Sequence, residues 1–316
     1  MQVFFKIARR LQCLVLVSGF SVLGASLLAG PSAADADGWT RDQAVMVNGA
    51  ERRYDFFVPK SAASESAVPL LVVLHGTGSN GAQMATLGRF ERHAERKGFV
   101  LVAPHSLGRA FNEGSGRGGP DVKGVDDVAF IETTADAVRN RVKIDPSKMF
   151  LTGFSSGGAM AQRMALQSDY SWAAIAAVAG HLWVPAEGAK RPTNLLLFWG
   201  MDDPLNPKIG GAVPYPQSGV TLDKPSPSAT HLKWADLLEC YEGEFVETTP
   251  FPNTKKLSID TCYEGAQLDA YFANGLGHQW PGGTPLPFPE SAVGPYTDQF
   301  DLTDVIWEFF SARSGQ

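Results

Sequence analysis

The stretch Met149-Phe150-Leu151-Thr152-Gly153-Phe154-Ser155-Ser156-Gly157-Gly158 constrains the fold more than any other. An apolar run stops at a Gly-x-Ser-x-Gly pentad, and a small-residue, helix-forming stretch from Gly158 to Leu166 follows at once. This layout predicts a strand, a sharp turn and a helix, with the glycines making room for Ser155 to stand at a sheet edge. Alone the pentad is weak, since about one chain in four of this composition carries it by chance. Its weight comes from the segments around it.

Val68–Leu74, Phe99–Pro104, Ala173–Ala179, Thr193–Phe198 and Leu268–Ala273 are short continuous apolar runs, the pattern of strands buried on both faces. Between them lie helical patterns: Phe90–Lys97, Asp126–Val142 with Val128, Ile131, Ala135 and Val138 at spacings of three and four, His231–Leu238, and a closing helix marked by Leu302, Val305, Ile306, Phe309 and Phe310. Gln43–Pro59 reads as a hairpin turning at Asn48-Gly49. Strands alternating with helices predict an α/β fold: a mostly parallel, twisted sheet with helices on both faces. Two segments read as long irregular loops, the Gly-rich Ser106–Gly124 and the Pro-rich Pro204–Pro227.

Lys6, Arg9 and Arg10 precede an apolar stretch, Leu11–Leu28, and then Pro31-Ser32-Ala33-Ala34-Asp35-Ala36. A basic start, an apolar middle and small residues at the end predict a secretory leader over residues 1–36, with an uncleaved anchor as the rival. Residues 37–316 then form a single catalytic-size domain, secreted or periplasmic. Losing three basic residues and Asp35 with the leader moves the net charge from −6 to −8. An acidic chain with no Lys/Arg cluster argues against nucleic acid or an anionic membrane as partner. Cys240 and Cys262 remain, and an even pair in an exported chain points to a disulfide, with two buried thiols as the alternative. Their spacing does not suit a metal, and no metal or cofactor is expected.

Ligands of parallel sheets bind at the carboxyl ends of the strands, and three such ends carry chemistry. Serine needs a base, and the base needs an orienting carboxylate. Ser155, Asp203 and His278 follow strands in the chain order Ser, Asp, His that an α/β-hydrolase fold uses. Asp203 is preferred to Asp202 because Pro204 stiffens the loop just after it, Asp202 being a turn residue or backbone cap. Among the other histidines, His93 reads as a solvated helix residue and His231 as a cap or surface group. His105 and His181 are candidates to line the pocket, and His75 to brace its loop. The oxyanion donors are the backbone N–H of Ser156 and, from the early loop His75-Gly76-Thr77-Gly78, that of Thr77. Trp280, Phe111 and Trp183 are candidates for an aromatic substrate wall, with packing as the plainer role.

Six motifs together resemble the secreted esterases of the polyhydroxybutyrate depolymerase and feruloyl esterase group: Leu74-His75-Gly76-x-Gly78, Asp126-Asp127-Val128-x-Phe130, Gly153-x-Ser155-x-Gly157-Gly158-x-Met160, Gly200-x-x-Asp203-Pro204, Trp234 with Cys240, and Gly277-His278-x-Trp280-Pro281-Gly282-Gly283. The resemblance runs from about Tyr54 to Phe310. It implies an α/β-hydrolase fold, Ser155, Asp203 and His278 as a triad, a Cys240–Cys262 disulfide, and small or oligomeric esters as substrates cleaved through an acyl-enzyme. The chain departs from it at Thr77, where many relatives carry Cys, and at Phe111-Asn112-Glu113-Gly114, where many have a Trp-rich segment. A secreted peptidase on the same fold and a catalytically silent binding protein are the competing functions.

Overall fold

Trp39–Val47 (β1) and Ala50–Phe57 (β2) pair antiparallel across Asn48 and Gly49, whose φ values of 50° and 82° suit a two-residue hairpin turn. The computed structural model describes residues 38–62, 66–117, 123–185, 193–215, 219–240 and 245–313, so the expected leader lies outside the described residues. Ala33–Gln316 gathers into one compact unit. Its centre is six parallel strands: Val68–Leu74 (β3), Val100–Pro104 (β4), Ile144–Phe154 (β5), Ala174–Val178 (β6), Leu195–Gly200 (β7) and, later in the chain, Leu268–Ala273 (β12).

The alternation of side chains along a strand divides the interior into two layers. Leu70, Val72 and Leu74 of β3 face one core with Leu195, Leu197 and Trp199 of β7, whereas Leu71, Val73, Leu196 and Phe198 face the other. The first core is closed by Asp127–Arg139 (α3), Ser156–Gln167 (α4) and Pro227–Leu237 (α5), through Phe130, Ile131, Met160, Met164 and Trp234. The second is closed by Gly81–Leu87 (α1), Phe90–Lys97 (α2) and Leu302–Ser311 (the last helix), through Met84, Phe90, Ile306, Trp307 and Phe310. Strands apolar at every position therefore lie where both faces are covered, as the sequence predicts.

The sheet extends beyond that centre. Its order is β1-β2-β4-β3-β5-β6-β7-β12-β11-β10, with Val246–Phe251 (β10) and Thr254–Ile259 (β11) added antiparallel beyond β12. The sequence pattern does not announce this edge, because β10 is mostly exposed and contains Pro250, which only an edge strand tolerates. The Pro-rich excursion likewise contains a small hairpin, Gly211–Tyr215 (β8) with Val220–Lys224 (β9).

Two histidines differ from expectation. His93 is buried rather than solvated, its Nε2 lying 3.1 Å from Asp301 Oδ2, because the polar side of α2 docks on the start of the last helix. His231 is also buried, between the rings of Phe245 and Phe272. Helix α5 starts earlier than expected, with Ser226 capping Ala229 N, which puts His231 on its inner face.

Cys240 and Cys262 are bonded, S–S 2.03 Å, tying the end of α5 to the segment entering β12. A bridge closing a loop of this size stabilises by about 3 kcal/mol in the chain-entropy account. Among the described residues no helix is long and apolar enough to cross a membrane.

Candidate active site

Between β5 and α4, Ser155 has φ 58° and ψ −115°, a strained conformation for a residue with a side chain. Its amide donates to Val178 O at 2.8 Å, and its carbonyl accepts from Ala159 N at 2.9 Å, so strand β6 and the first turn of α4 fix it from two sides. The flanking glycines are dictated by space. A Cβ on Gly153 would lie 2.2 Å from Gly157 O, and one on Gly157 would lie 2.1 Å from Leu74 O. No other residue fits at either position.

Strand β7 delivers two adjacent carboxylates, and the loops separate their work. Asp202 is exposed and accepts from Gly275 N at 2.6 Å, as a backbone cap does. Asp203 is buried, with Oδ2 2.6 Å from His278 Nδ1 and Oδ1 accepting from the amides of Leu205 at 2.7 Å and Asn206 at 2.9 Å. Burial alone would raise the Asp203 carboxyl. Burial is the largest single influence, but the attraction of His278 and the hydrogen bonds from His278, Asn206 and Leu205 together outweigh it and hold the group below the ordinary carboxylate range. An ionised acid facing Nδ1 orients the imidazole and leaves Nε2 to a second partner. The His278 ring lies 4.8 Å from that of Phe154, the residue before Ser155, which brings the end of the β12 loop to the elbow.

Sequence reasoning missed Asn206. Its Nδ2 donates to Ala179 O and to Asp203 Oδ2, both at 2.8 Å, and its Oδ1 accepts from Lys224 Nζ at 2.7 Å. One amide thus joins the ends of β6 and β7 to the acid. The available signal was its place three residues after Asp203, where an Asx-type turn closes. Lys224, on β9, also donates to Leu205 O. Burial first, then the Arg117 charge, pulls it down to about 7.

Ser156 N is at the first position of α4, where an amide has no partner within the helix. The loop after β3 lies against it: a Cβ on Gly76 would lie 3.3 Å from Ser155 Cβ. The Thr77 amide, next along, makes no hydrogen bond among the described residues. His75 is buried and bridges two loops, with Nδ1 2.8 Å from Gly76 O and Nε2 accepting from Ser106 N at 3.0 Å.

The expected aromatic wall is corrected at two of its three positions. Trp280 is wholly buried, its Nε1 donating to Thr303 Oγ1 at 3.0 Å and its ring against Phe90 and Phe154, so it belongs to the second core. Phe111 is wholly buried behind His75, ring centroids 4.8 Å apart. The segment after β12 is a turning loop and not a strand, so residues two apart need not share a face: His278 is at the site while the bulkier apolar ring packs into the interior. Trp183 alone keeps partial exposure. His105 pairs with Asp55 at 3.4 Å and accepts from Gly81 N. His181 is buried with Nδ1 2.7 Å from Thr230 Oγ1. The close group His93, Asp301 and Asp304 is occupied by cationic side chains, Arg96 bonding Asp304 and Lys97 lying 3.6 Å from it.

Three buried histidines make an acid-stability prediction. Burial pulls His75 down to about 4, His181 to about 3 and His231 to about 4, against 6.5 in the unfolded chain. A proton then binds the unfolded state more readily, so their stabilisation is complete above about pH 6.5 and is lost progressively as pH falls towards those values. Each contributes about 1.4 kcal/mol per pH unit within that window. The urea midpoint is expected to fall clearly between pH 7 and pH 5; a midpoint that stays level or rises contradicts the assignment of neutral buried imidazoles.

Residues 52–206 match the model of the family described as esterase PHB depolymerase. "Putative esterase NocK" of Nocardia uniformis subsp. tsuyamanensis is 29% identical over 294 residues, covering 87% of this chain and 83% of that one. "Feruloyl esterase C" of Emericella nidulans is 27% identical over 171 residues, covering 52% of this chain and 59% of that one, so the chain spans less than two thirds of that relative. Acetyl xylan esterase from Aspergillus awamori superposes with a TM-score of 0.59 at 18% identity, over 86% of this chain and 99% of that one, a likeness of fold. Residues 52–206 thus carry the esterase PHB depolymerase domain, on a chain with the α/β-hydrolase fold.

Proposed function

We propose that this protein is an exported serine hydrolase of carboxylic esters. The observation that carries the reading is the Asp203–His278 contact at 2.6 Å, set at the strand ends beside a Ser155 held in a strained elbow. His278 Nε2 takes the Ser155 proton as Oγ attacks the ester carbonyl, and Asp203 stabilises the imidazolium that forms. The tetrahedral oxyanion accepts hydrogen bonds from the amides of Ser156 and Thr77, donors fixed before reaction. His278 returns its proton to the leaving alcohol. It then deprotonates a water that releases the acid from Ser155. The leader-like residues 1–36 and the Cys240–Cys262 bond support export into an oxidising compartment.

A fluorophosphonate probe tests the reading on the intact protein. It is expected to modify Ser155 stoichiometrically, with peptide mapping to locate the adduct and loss of ester hydrolysis in parallel. Labelling at another serine, or none, overturns it. Running short esters beside peptide amides of matched acyl group separates the esterase from a peptidase.

A further inference from the structure

The loop after β4 and the hairpin β8–β9 bring together a cluster that the hydrolytic step does not use. Arg117 and Glu113 form an ion pair at 2.6 Å, with side chains 2% exposed on both sides. The Arg117 guanidinium lies 5.7 Å from the ring centroid of Trp183 and 5.4 Å from that of Tyr215, and Lys224 Nζ lies 5.4 Å from the same Tyr215 ring. The cluster adjoins the site through Asn206, which bonds both Lys224 and Asp203. The Trp183 segment leaves the end of β6 just after Gly180, where a Cβ would meet Ser155 O at 2.8 Å.

What distinguishes the cluster is an excess of donors. The Glu113 oxygens already accept from Ser115 N and Ser115 Oγ, and Arg117 Nε faces one of them. The Asp203 oxygens are filled by His278, Asn206 and Leu205. Arg117 directs Nε to Ser115 Oγ as well, but its two terminal amines make no hydrogen bond among the described residues. The Trp183 indole N–H is buried without a partner among them. Buried donors are normally matched, so an indole N–H left open beside a guanidinium whose terminal amines bond nothing among the described residues implies acceptor atoms that arrive with a ligand. A planar anion with two oxygens suits a guanidinium fork and a lone indole N–H.

We propose that Arg117 and Trp183 form a subsite for a carboxylate carried by the ester substrate. The inference rests on the ester-hydrolase reading above and names a substrate class for it: esters of dicarboxylic acids, or of hydroxy acids, with one carboxylate left free. The depressed Lys224 fits this assignment, since a bound anion would favour its charged form.

Matched esters test it on the intact enzyme. On the acyl side, monoethyl adipate is compared with diethyl adipate; on the alcohol side, O-butanoylglycolate is compared with its amide. The wild type is expected to show kcat/KM at least roughly tenfold higher for the anionic member of one pair, the size expected for a charge-assisted bidentate contact. The pair that responds identifies which half of the ester carries the charge. Free adipate is expected to compete with the anionic ester. Arg117→Met and the packing-conserving Trp183→Phe are both expected to lower the anionic-to-neutral ratio, Arg117→Met towards one. Neutral esters cleaved as well as or better than anionic ones by the wild type overturn the subsite while leaving the hydrolase reading intact. A wild-type preference that survives unchanged in Trp183→Phe and Arg117→Met also overturns it. Failure of the wild type on every ester overturns the hydrolase reading itself.

Discussion

Ser155→Ala is expected to cut kcat on a short p-nitrophenyl ester by about four to six powers of ten, the range seen when the nucleophile of a coupled triad is removed. The loss is that large because the hydroxyl is the atom that becomes acylated, and the oxyanion donors cannot substitute for it. Folding is expected to survive. Ser155 Oγ contributes little packing, and alanine keeps the two backbone hydrogen bonds to Val178 and from Ala159. Alanine retains the positive φ of 58°, with its strain, so the thermal midpoint is expected to stay within a few degrees of wild type. Substantial residual turnover in a folded variant would remove Ser155 from the mechanism, and with it the meaning of the elbow.

Asp203→Asn is expected to lower kcat by about 10⁴-fold, whereas Asp202→Asn stays within about tenfold of wild type. The two aspartates are adjacent in sequence and alike in chemistry, so the contrast isolates geometry. Asp203 Oδ2 meets His278 Nδ1 at 2.6 Å, and an amide there either presents N–H to the ring or loses the charge that stabilises the imidazolium. Asp202 reaches only Gly275 N, a bond that the oxygen of asparagine can also accept. Because the Asp203 carboxyl is held below the ordinary carboxylate range, it stays ionised where ordinary carboxylates take up protons, so protonation of this acid is not what limits the wild-type rate on the acid side. Turnover of both variants, with circular dichroism to verify folding, decides the matter; a greater loss at Asp202 reverses the assignment.

These two residues also show what a sequence can reveal. Gly153 and Gly157 are readable because the elbow tolerates no Cβ at either place, a local steric fact that local sequence records. The strands are readable because two-sided burial demands apolar residues at every position. Asp203 and His278 are readable from order and placement at strand ends, although 75 residues separate them. Trp280 was misread because a glycine-rich segment bearing a catalytic-type histidine looks wholly directed at the site, while its turns send the indole into the second core. Lys224 and Arg117 were illegible for a different reason. Each comes from a segment without periodicity, and their neighbourhood exists only once β8–β9 folds beside the loop after β4. His93 was misread because its partner, Asp301, is 208 residues away and polar neighbours suggested solvent.

The contact between Gly157 and Leu74 has a bearing on how such an enzyme can diversify. One backbone touch sets the helix that carries Ser156 N against the strand that leads to Thr77 N. The separation of the two amides is therefore a single inherited dimension and not the sum of two independently drifting loops. Random variation in the segments 106–124 and 204–227 can reshape what is bound without altering that dimension. Laboratory selection for new substrates should accordingly accumulate changes in those two segments and leave 74–78 and 153–158 untouched.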